Sequence, residues 1–137
     1  MSWGKLSLTE DDLGQRLYKF RNWLKQIIEK EEIDYVIFED IQLQNNVINN
    51  VKTFKSLAEV IGIINELLFE MNIDCAAVLA STWKSTLKIR GKDRAAQKKS
   101  AQEYVINTYN LKVTQDEADA ICIGSHYFQK QDYDWSN

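Results

Sequence analysis

The chain has 137 residues, of which 45% are apolar and 27% charged, and its net charge is −3. This length and balance predict one globular domain over residues 1–137, with a short polar and aromatic tail at 131–137. No apolar run approaches the roughly 20 residues of a membrane span, and the first residues lack a signal-peptide pattern. We therefore expect a cytosolic protein that does not enter a membrane.

Two cysteines and one histidine limit the metal and redox chemistry. Cys75 and Cys122 lie in apolar segments without metal-ligand spacing, so reduced, buried thiols are expected. A disulfide and a Cys/His zinc site are excluded. The histidine, His126, is expected at a helix end or on the surface, with a role beside a metal as the alternative.

The first predicted elements are a short strand and an amphipathic helix. Residues 3–8 alternate and predict an edge strand, and Thr9 followed by Asp12 predicts a helix N-terminus. Apolar residues then recur at helical spacing to about Glu31, which predicts a helix with one face on a core.

Two apolar runs, at 33–38 and 75–79, predict strands buried between helices. Between them, a polar segment at 42–50 precedes a long helix to about Met71. This helix has two apolar stripes, so a second partner surface is expected. The first stripe contains Phe54, Leu57, Ile61, Ile64 and Leu68, and the second contains Val60, Ile63, Leu67 and Met71.

A helical turn at 81–87, a helix at 94–109 and a last helix at 114–129 complete the chain. Strands that alternate with helices predict an α/β layer fold.

Positive charge is concentrated in one segment of this acidic chain. Residues 84–99 contain seven cations and one acid, Asp93, which gives a local balance of +6. Such a patch can neutralise the phosphates of a nucleic acid, although a solvated lysine-rich helix is the alternative. The cations of this basic patch are Lys84, Lys88, Arg90, Lys92, Arg94, Lys98 and Lys99.

Three carboxylates are attached to apolar segments. Glu39 follows a predicted strand, where α/β folds gather ligands, and Asp116 and Asp119 share one helix face. The alternatives are a loop carboxylate for Glu39 and a helix cap for Asp116. If the three converge, their oxygens suit Mg²⁺ or Mn²⁺, and metal-assisted hydrolysis of a phosphodiester follows. A phosphate-binding GxxxxGK[ST] loop is absent, so DEAD at 116–119 does not indicate a helicase.

The chain resembles the RuvC-type Holliday junction resolvases, in particular their short phage-type members, within the RNase H-like superfamily. The segments that carry this resemblance are IDYVIFED (33–40), ASTWK (80–84), RAAQKKSAQEYVI (94–106) and DEADAICIG (116–124). The resemblance implies a mixed sheet flanked by helices and Mg²⁺- or Mn²⁺-dependent cleavage of branched DNA.

The resemblance also assigns roles to residues. Glu39, Asp116 and Asp119 take the positions of metal-binding, catalytic carboxylates. Lys84 takes that of a lysine near the scissile phosphate, and Lys98 or Lys99, here Lys99, that of a catalytic basic residue. Contacts to DNA are expected from the whole basic patch and from the polar residues Gln42, Gln44, Asn45 and Asn46.

One departure from the family is large. The family begins with a strand that carries a metal-binding aspartate and with a second strand, and both lack a counterpart here. Asp11 and Asp12 do not replace that aspartate, because they lie in the first turn of a predicted helix. A late start or truncation, a split gene and a natural variant that binds without cutting are the three explanations.

Alternative functions follow from this departure. One is a non-catalytic module that binds junction DNA, and another is an RNase H-like nuclease that acts on RNA. A homodimer is expected, because an enzyme that cuts a four-way junction symmetrically benefits from matching its two-fold axis, and the second stripe of the long helix adds apolar surface for a partner. The alternative is that the long helix is sandwiched within the monomer.

Overall fold

The computed structural model describes residues 1–42 and 47–136, of which 47–50 and 131–136 are described by their backbone alone. In this part the chain forms five helices and two strands. In chain order they are α1 (Leu13–Lys30), β1 (Tyr35–Glu39), α2 (Val47–Glu70), β2 (Asp74–Val78), α3 (Ala80–Thr86), α4 (Arg94–Tyr109) and α5 (Gln115–Ser136).

The two strands form a small parallel sheet in which β1 lies beside β2. Parallel strands need a long crossover connection, and here α2 supplies it. Beyond the end of β1, the backbone N–H of Asp40 donates to the carbonyl oxygen of Val78 at 2.8 Å. The α/β arrangement predicted from the sequence is therefore confirmed.

The N-terminal expectations were wrong in two respects. Residues 3–8 do not form a strand, since neither described strand pairs with them. The first helix begins at Leu13, and its N-cap is Asp12 rather than Thr9. The Asp12 carboxylate accepts the backbone N–H of Gln15 at 2.8 Å, and aspartate is among the strongest N-cap residues.

The last helix is longer than expected. It continues to Ser136 instead of ending near Gln129, so most of the expected tail is helical. Residues 125–136 contain neither glycine nor proline, and the sequence therefore has no stop signal in this stretch. No helix in the described ranges combines the length and the apolar character of a membrane span.

The chain divides into two compact units. The α1–α2 unit comprises residues 6–36 and 41–76. In it, Arg21 of α1 is hydrogen-bonded to Glu66 and Glu70 of α2, and these bonds raise the pKa of Arg21 above its usual value. Leu67 and Leu68 of α2 are almost completely buried, so at this point both apolar stripes of the helix are covered. The single domain expected from the sequence remains a prediction.

The C-terminal unit comprises residues 1–5, 37–40 and 77–137. Its core contains Trp83 of α3. The small residues Ala101 of α4 and Ala118 of α5 are also buried in this core, and their size lets the two helices approach closely. Ile37 and Val78, from the carboxyl ends of the two strands, pack against the same core. The remaining core residues are Leu87, Ile89, Val105, Cys122 and Ile123. The strand ends and α3, α4 and α5 are therefore fixed together.

Candidate metal and phosphate site

Glu39 is the last residue of β1, as expected for a side chain at the carboxyl end of a strand. Its Oε1 accepts a hydrogen bond of 3.0 Å from the indole Nε1–H of Trp83. Trp83 is completely buried, whereas Glu39 is exposed. The carboxylate is thus held from the core side, by a partner that no local sequence signal indicated.

Asp119 lies one turn inside α5, beside the buried residues Ala118 and Cys122. Its Oδ2 accepts a hydrogen bond of 2.6 Å from the Nζ of Lys98 on α4. Burial, and then the charge of Asp119, raise the pKa of the Cys122 thiol to about 12. This thiol is therefore protonated and unreactive at neutral pH. Both cysteines are free, but only Cys122 is buried, since Cys75 is partly exposed.

Asp116 lies in the first turn of α5, and its side chain is 63% exposed. Its Oδ2 lies 3.2 Å from the Nζ of Lys5. The cap of this helix is formed by two other residues: Thr114 Oγ1 accepts the N–H of Glu117, and a Glu117 oxygen accepts the N–H of Thr114. The capping hydrogen bonds of α5 thus come from Thr114 and Glu117. Asp116 is an acid in the first turn of the helix, so its alternative role as a complement to the helix dipole stays a prediction.

Lys84 lies over the ring of the Trp83 indole. Its Nζ lies 5.5 Å from the centroid of the indole ring and donates to Oε1 of Gln97 at 3.2 Å. The amide of Gln97 in turn donates to the carbonyl oxygen of Gly91. A lysine expected near phosphate is therefore partly buried and oriented by two contacts.

The structure distinguishes the two adjacent lysines of α4. Lys98 contacts Asp119, whereas Lys99, the one of the two that was expected to be catalytic, is exposed. Residues 98, 101 and 105 lie on one helix face, and Ala101 and Val105 are buried in the core shared with α5. Lys99 is rotated by about 100° from Lys98, so it projects away from this face.

Five cations of the basic patch are exposed, and they form no ion pair with an acid in the part of the chain that the structure describes. They are Lys88, Arg90, Lys92, Arg94 and Lys99.

Apolar and basic residues alternate after α3, and this alternation explains why the cations there are exposed. Leu87 and Ile89 are each 7% exposed and anchor the loop in the core, while Lys88 and Arg90 between and after them face solvent. Lys88 has a φ of 59°, a left-handed conformation that turns the chain out of α3.

The loop is held against the start of α4. A Cβ atom on Gly91 would lie 2.6 Å from the backbone nitrogen of Gln97, so only glycine fits there. Asp93, the single acid of the segment, accepts the N–H of Ala96 at 2.8 Å as the N-cap of α4. Asp93 is used in this cap, and it forms no ion pair with the five exposed cations in the described part of the chain.

The polar segment after β1 is described only at its start. Gln42 is exposed. Gln44, Asn45 and Asn46, also expected to contact DNA, lie outside the described residues.

His126 is buried, contrary to the expectation that it lies at a helix end or on the surface. It is 7% exposed, and its Nδ1 has no hydrogen-bond partner among the residues that the structure describes. Burial, followed by the charge of Lys130, lowers its pKa below the usual value of 6.5. It lies in the interior stretch of a longer α5, and this places it away from any helix end.

The three carboxylates fit a divalent cation by their chemistry. No three acidic, histidine or cysteine side chains in the described residues are grouped as a complete ligand set. Glu39, Asp116 and Asp119 nevertheless belong to one compact unit. Each is bound by a different donor through one oxygen, so the other oxygen remains for a ligand. Such hard oxygen donors are those that Mg²⁺ and Mn²⁺ prefer.

Comparisons with known proteins agree with this architecture. The family model described as "Crossover junction endodeoxyribonuclease RuvC" matches residues 1–126. The solved structure of Thermus thermophilus RuvC superposes with a TM-score of 0.65 at 14% identity, over 91% of this chain and 75% of that chain. A second structure, T. thermophilus RuvC in complex with a Holliday junction substrate, gives a TM-score of 0.64 at 12% identity over the same shares.

No curated protein sequence matches the chain. The resemblance to short phage-type members stays a prediction, whereas the RuvC-type resemblance and the RNase H-like α/β fold are confirmed. Since the family model matches residues 1–126 of the chain and the fold agrees with it, this chain belongs to the RuvC family of crossover junction endodeoxyribonucleases.

Proposed function

We propose that this chain binds branched DNA such as a four-way junction and cleaves it by phosphodiester hydrolysis assisted by Mg²⁺ or Mn²⁺. The contact between Lys98 and Asp119 is the observation that carries this proposal. It joins the basic patch, which lies on α3, α4 and the loop between them, directly to the acidic segment at 116–119 in the first turns of α5. A polyanion that lies on the patch would therefore meet the carboxylates.

The residues divide into two roles. Glu39, Asp116 and Asp119 would hold the metal, which would supply an activated water and stabilise the leaving oxygen of the phosphodiester. Lys84, held by Gln97 and the indole, would stabilise charge on the reacting phosphate. The exposed cations, Lys99 among them, would bind the phosphates of the DNA arms, whose negative charges release counterions when neutralised.

The choice of substrate rests on the family and on a relative. T. thermophilus RuvC was solved with a Holliday junction substrate, and this supports a junction as the first substrate to test. A cytosolic location remains a prediction from the sequence.

A nicking assay on a synthetic four-way junction tests the proposal. With Mg²⁺ or Mn²⁺, we expect the wild-type chain to cut the junction. Asp119→Asn should bind the junction but cut it at least about a hundredfold more slowly, as is usual when a group that positions transition-state charge is lost. Duplex DNA and an RNA–DNA hybrid serve as comparison substrates at the same salt concentration. Preferential cutting of the hybrid would favour the RNA-directed alternative.

A non-catalytic junction-binding module is the second candidate. Its support is that the described residues hold no complete ligand set for a metal. Calorimetric titration with Mn²⁺ separates the two functions. Binding that Asp119→Asn abolishes supports the nuclease, while tight junction binding without Mn²⁺ uptake or cleavage supports the binding module.

We further propose that the chain acts as a homodimer through α2. Several apolar side chains of this helix remain partly or largely exposed, although Leu67 and Leu68 are buried. Leu57 is 46% exposed and Phe69 is 88% exposed. An isologous pair of subunits would match the two-fold axis that relates the two scissile phosphates of a junction.

A further inference from the structure

One buried indole contacts two of the residues proposed to act on the phosphodiester. The Nε1–H of Trp83 donates to Glu39 Oε1 at 3.0 Å, and the Nζ of Lys84 lies 5.5 Å from the centroid of the same ring. Glu39 and Lys84 form no ion pair with each other in the part of the chain that is described. The indole is therefore the element that links them.

The charges of the two contacts match the electrostatics of the ring. An aromatic ring carries partial negative charge on its face and partial positive charge at its edge. The carboxylate lies at the N–H edge and the ammonium over the face, so each meets the region that attracts it. One side chain thus contacts two groups of opposite charge at two different regions of its ring.

The position of the ring is fixed by packing. Trp83 is 0% exposed and belongs to the core cluster that includes Val105 and Cys122. Indole has a single donor and no acceptor, and Glu39 is the hydrogen-bond partner that the structure shows for it. A buried donor that loses its partner is unfavourable, so the fixed ring restricts the Glu39 side chain to conformations that keep this bond.

We infer that Trp83 is a positioning residue, which holds Glu39 as a metal ligand and Lys84 as a phosphate-binding residue at fixed places from inside the core. This inference rests on the proposed function for the roles of Glu39 and Lys84. It adds the reason why the side chains of Glu39 and Lys84 keep their orientations. Partners of this kind, behind a ligand, commonly change metal affinity by about 10- to 100-fold when they are removed.

The indole N–H signals in a ¹⁵N–¹H correlation spectrum test the contact directly. The chain has four tryptophans, and single Trp→Phe variants at positions 3, 23, 83 and 135 assign the four signals by elimination. Glu39→Gln should shift the Trp83 signal upfield, because its acceptor loses its charge, and leave the Trp23 signal in place. An unchanged Trp83 signal would overturn the inference, whether or not Trp83→Phe folds.

Titration of the wild-type chain with Mg²⁺ alone then tests the link to the metal. We expect a saturable shift of the Trp83 signal that is absent in Glu39→Gln. A Trp83 signal that responds to Glu39→Gln but not to Mg²⁺ supports the contact and overturns the role of Glu39 as a metal ligand. The failure of the proposed function is thus distinguishable from the failure of the contact.

Affinity measurements separate positioning from general stability. Trp83→Phe should weaken Mn²⁺ binding by about 10-fold or more, whereas the matched Trp23→Phe should leave it unchanged. In the Glu39→Gln background, Trp83→Phe should cause no further loss, because its effect acts through Glu39. Additive losses would overturn the inference.

Discussion

Lys98 on α4 donates a hydrogen bond of 2.6 Å to Asp119 on α5, and the two side chains are only 21% and 26% exposed. The ammonium therefore neutralises a carboxylate that lies beside the core of the C-terminal unit. A metal ion that takes Asp119 as a ligand has to share or displace this ammonium. The adjacent Lys98 and Lys99 have different surroundings, so variants of the two can test whether the ammonium competes with a metal ion for Asp119.

We predict that Lys98→Met destabilises the fold by about 1 kcal/mol or more, because a partly buried carboxylate loses its partner. Lys99→Met, in an exposed matched position, should change stability by less than about 0.5 kcal/mol. Urea unfolding monitored by circular dichroism measures both values. Millimolar Mg²⁺ should stabilise Lys98→Met more than the wild type, because the competing ammonium is gone. Equal stabilisation of the two would contradict competition at Asp119.

The exposed cations should govern the salt dependence of DNA binding. Arg90→Gln and Lys92→Gln should each weaken junction binding, and each should reduce the slope of log affinity against log salt by about 0.9 per lost phosphate contact. Lys112→Gln is the control, since Lys112 is exposed but lies outside the basic patch. Fluorescence anisotropy at several salt concentrations gives the slopes. The same loss in the control would show that net charge, and not the patch, determines binding.

The buried His126 should make the fold sensitive to mild acid. Its pKa is lower in the folded chain than the unfolded value of 6.5, so below that value the unfolded state binds more protons. The contribution of His126 to the free energy of unfolding should therefore be constant above about pH 7.5 and should fall as the pH drops through about 6.5 towards the folded pKa.

Urea unfolding midpoints measured across this pH interval test whether the free energy of unfolding falls as the pH drops. His126→Phe should flatten the dependence, because it removes the group that titrates. Glu10 and Glu66, whose pKa values are lowered by Lys19 and Arg21, titrate below their usual 4.5 and act outside this interval. If stability still falls over this pH interval in His126→Phe, groups other than His126 cause the pH dependence.

Sedimentation at micromolar concentration should show about twice the chain mass of 16.0 kDa. Ile63→Glu on the second stripe should dissociate the dimer without unfolding, because this side chain is only partly buried. Ile64 is unsuitable for the test, since it is 8% exposed and a charge there would disrupt the fold. Lys55→Glu, at an exposed polar position of α2, should leave the mass unchanged. A monomeric wild type would contradict the dimer and leave the metal site untouched.

Local sequence determined where most elements lie. The helix α4 has the predicted bounds, because Asp93 caps its start and Asn110, with a φ of 56°, ends it in a left-handed conformation. The strands β1 and β2 differ from prediction by one or two residues, because apolar runs between polar segments are a local signal. The acidic segment at 116–119 and the basic patch were also predicted from local sequence.

The partners of the site residues were decided by the tertiary structure. Glu39 meets Trp83, which is 44 residues away, and Asp119 meets Lys98 rather than Lys99, 21 residues away. Periodicity places a side chain on a helix face, but only the packing of α4 against α5 determines which face is turned inward. Residues 3–8 illustrate the same limit, because an alternating segment becomes a strand only when a neighbouring strand accepts its hydrogen bonds. That neighbour is a long-range feature, which no window of local sequence contains.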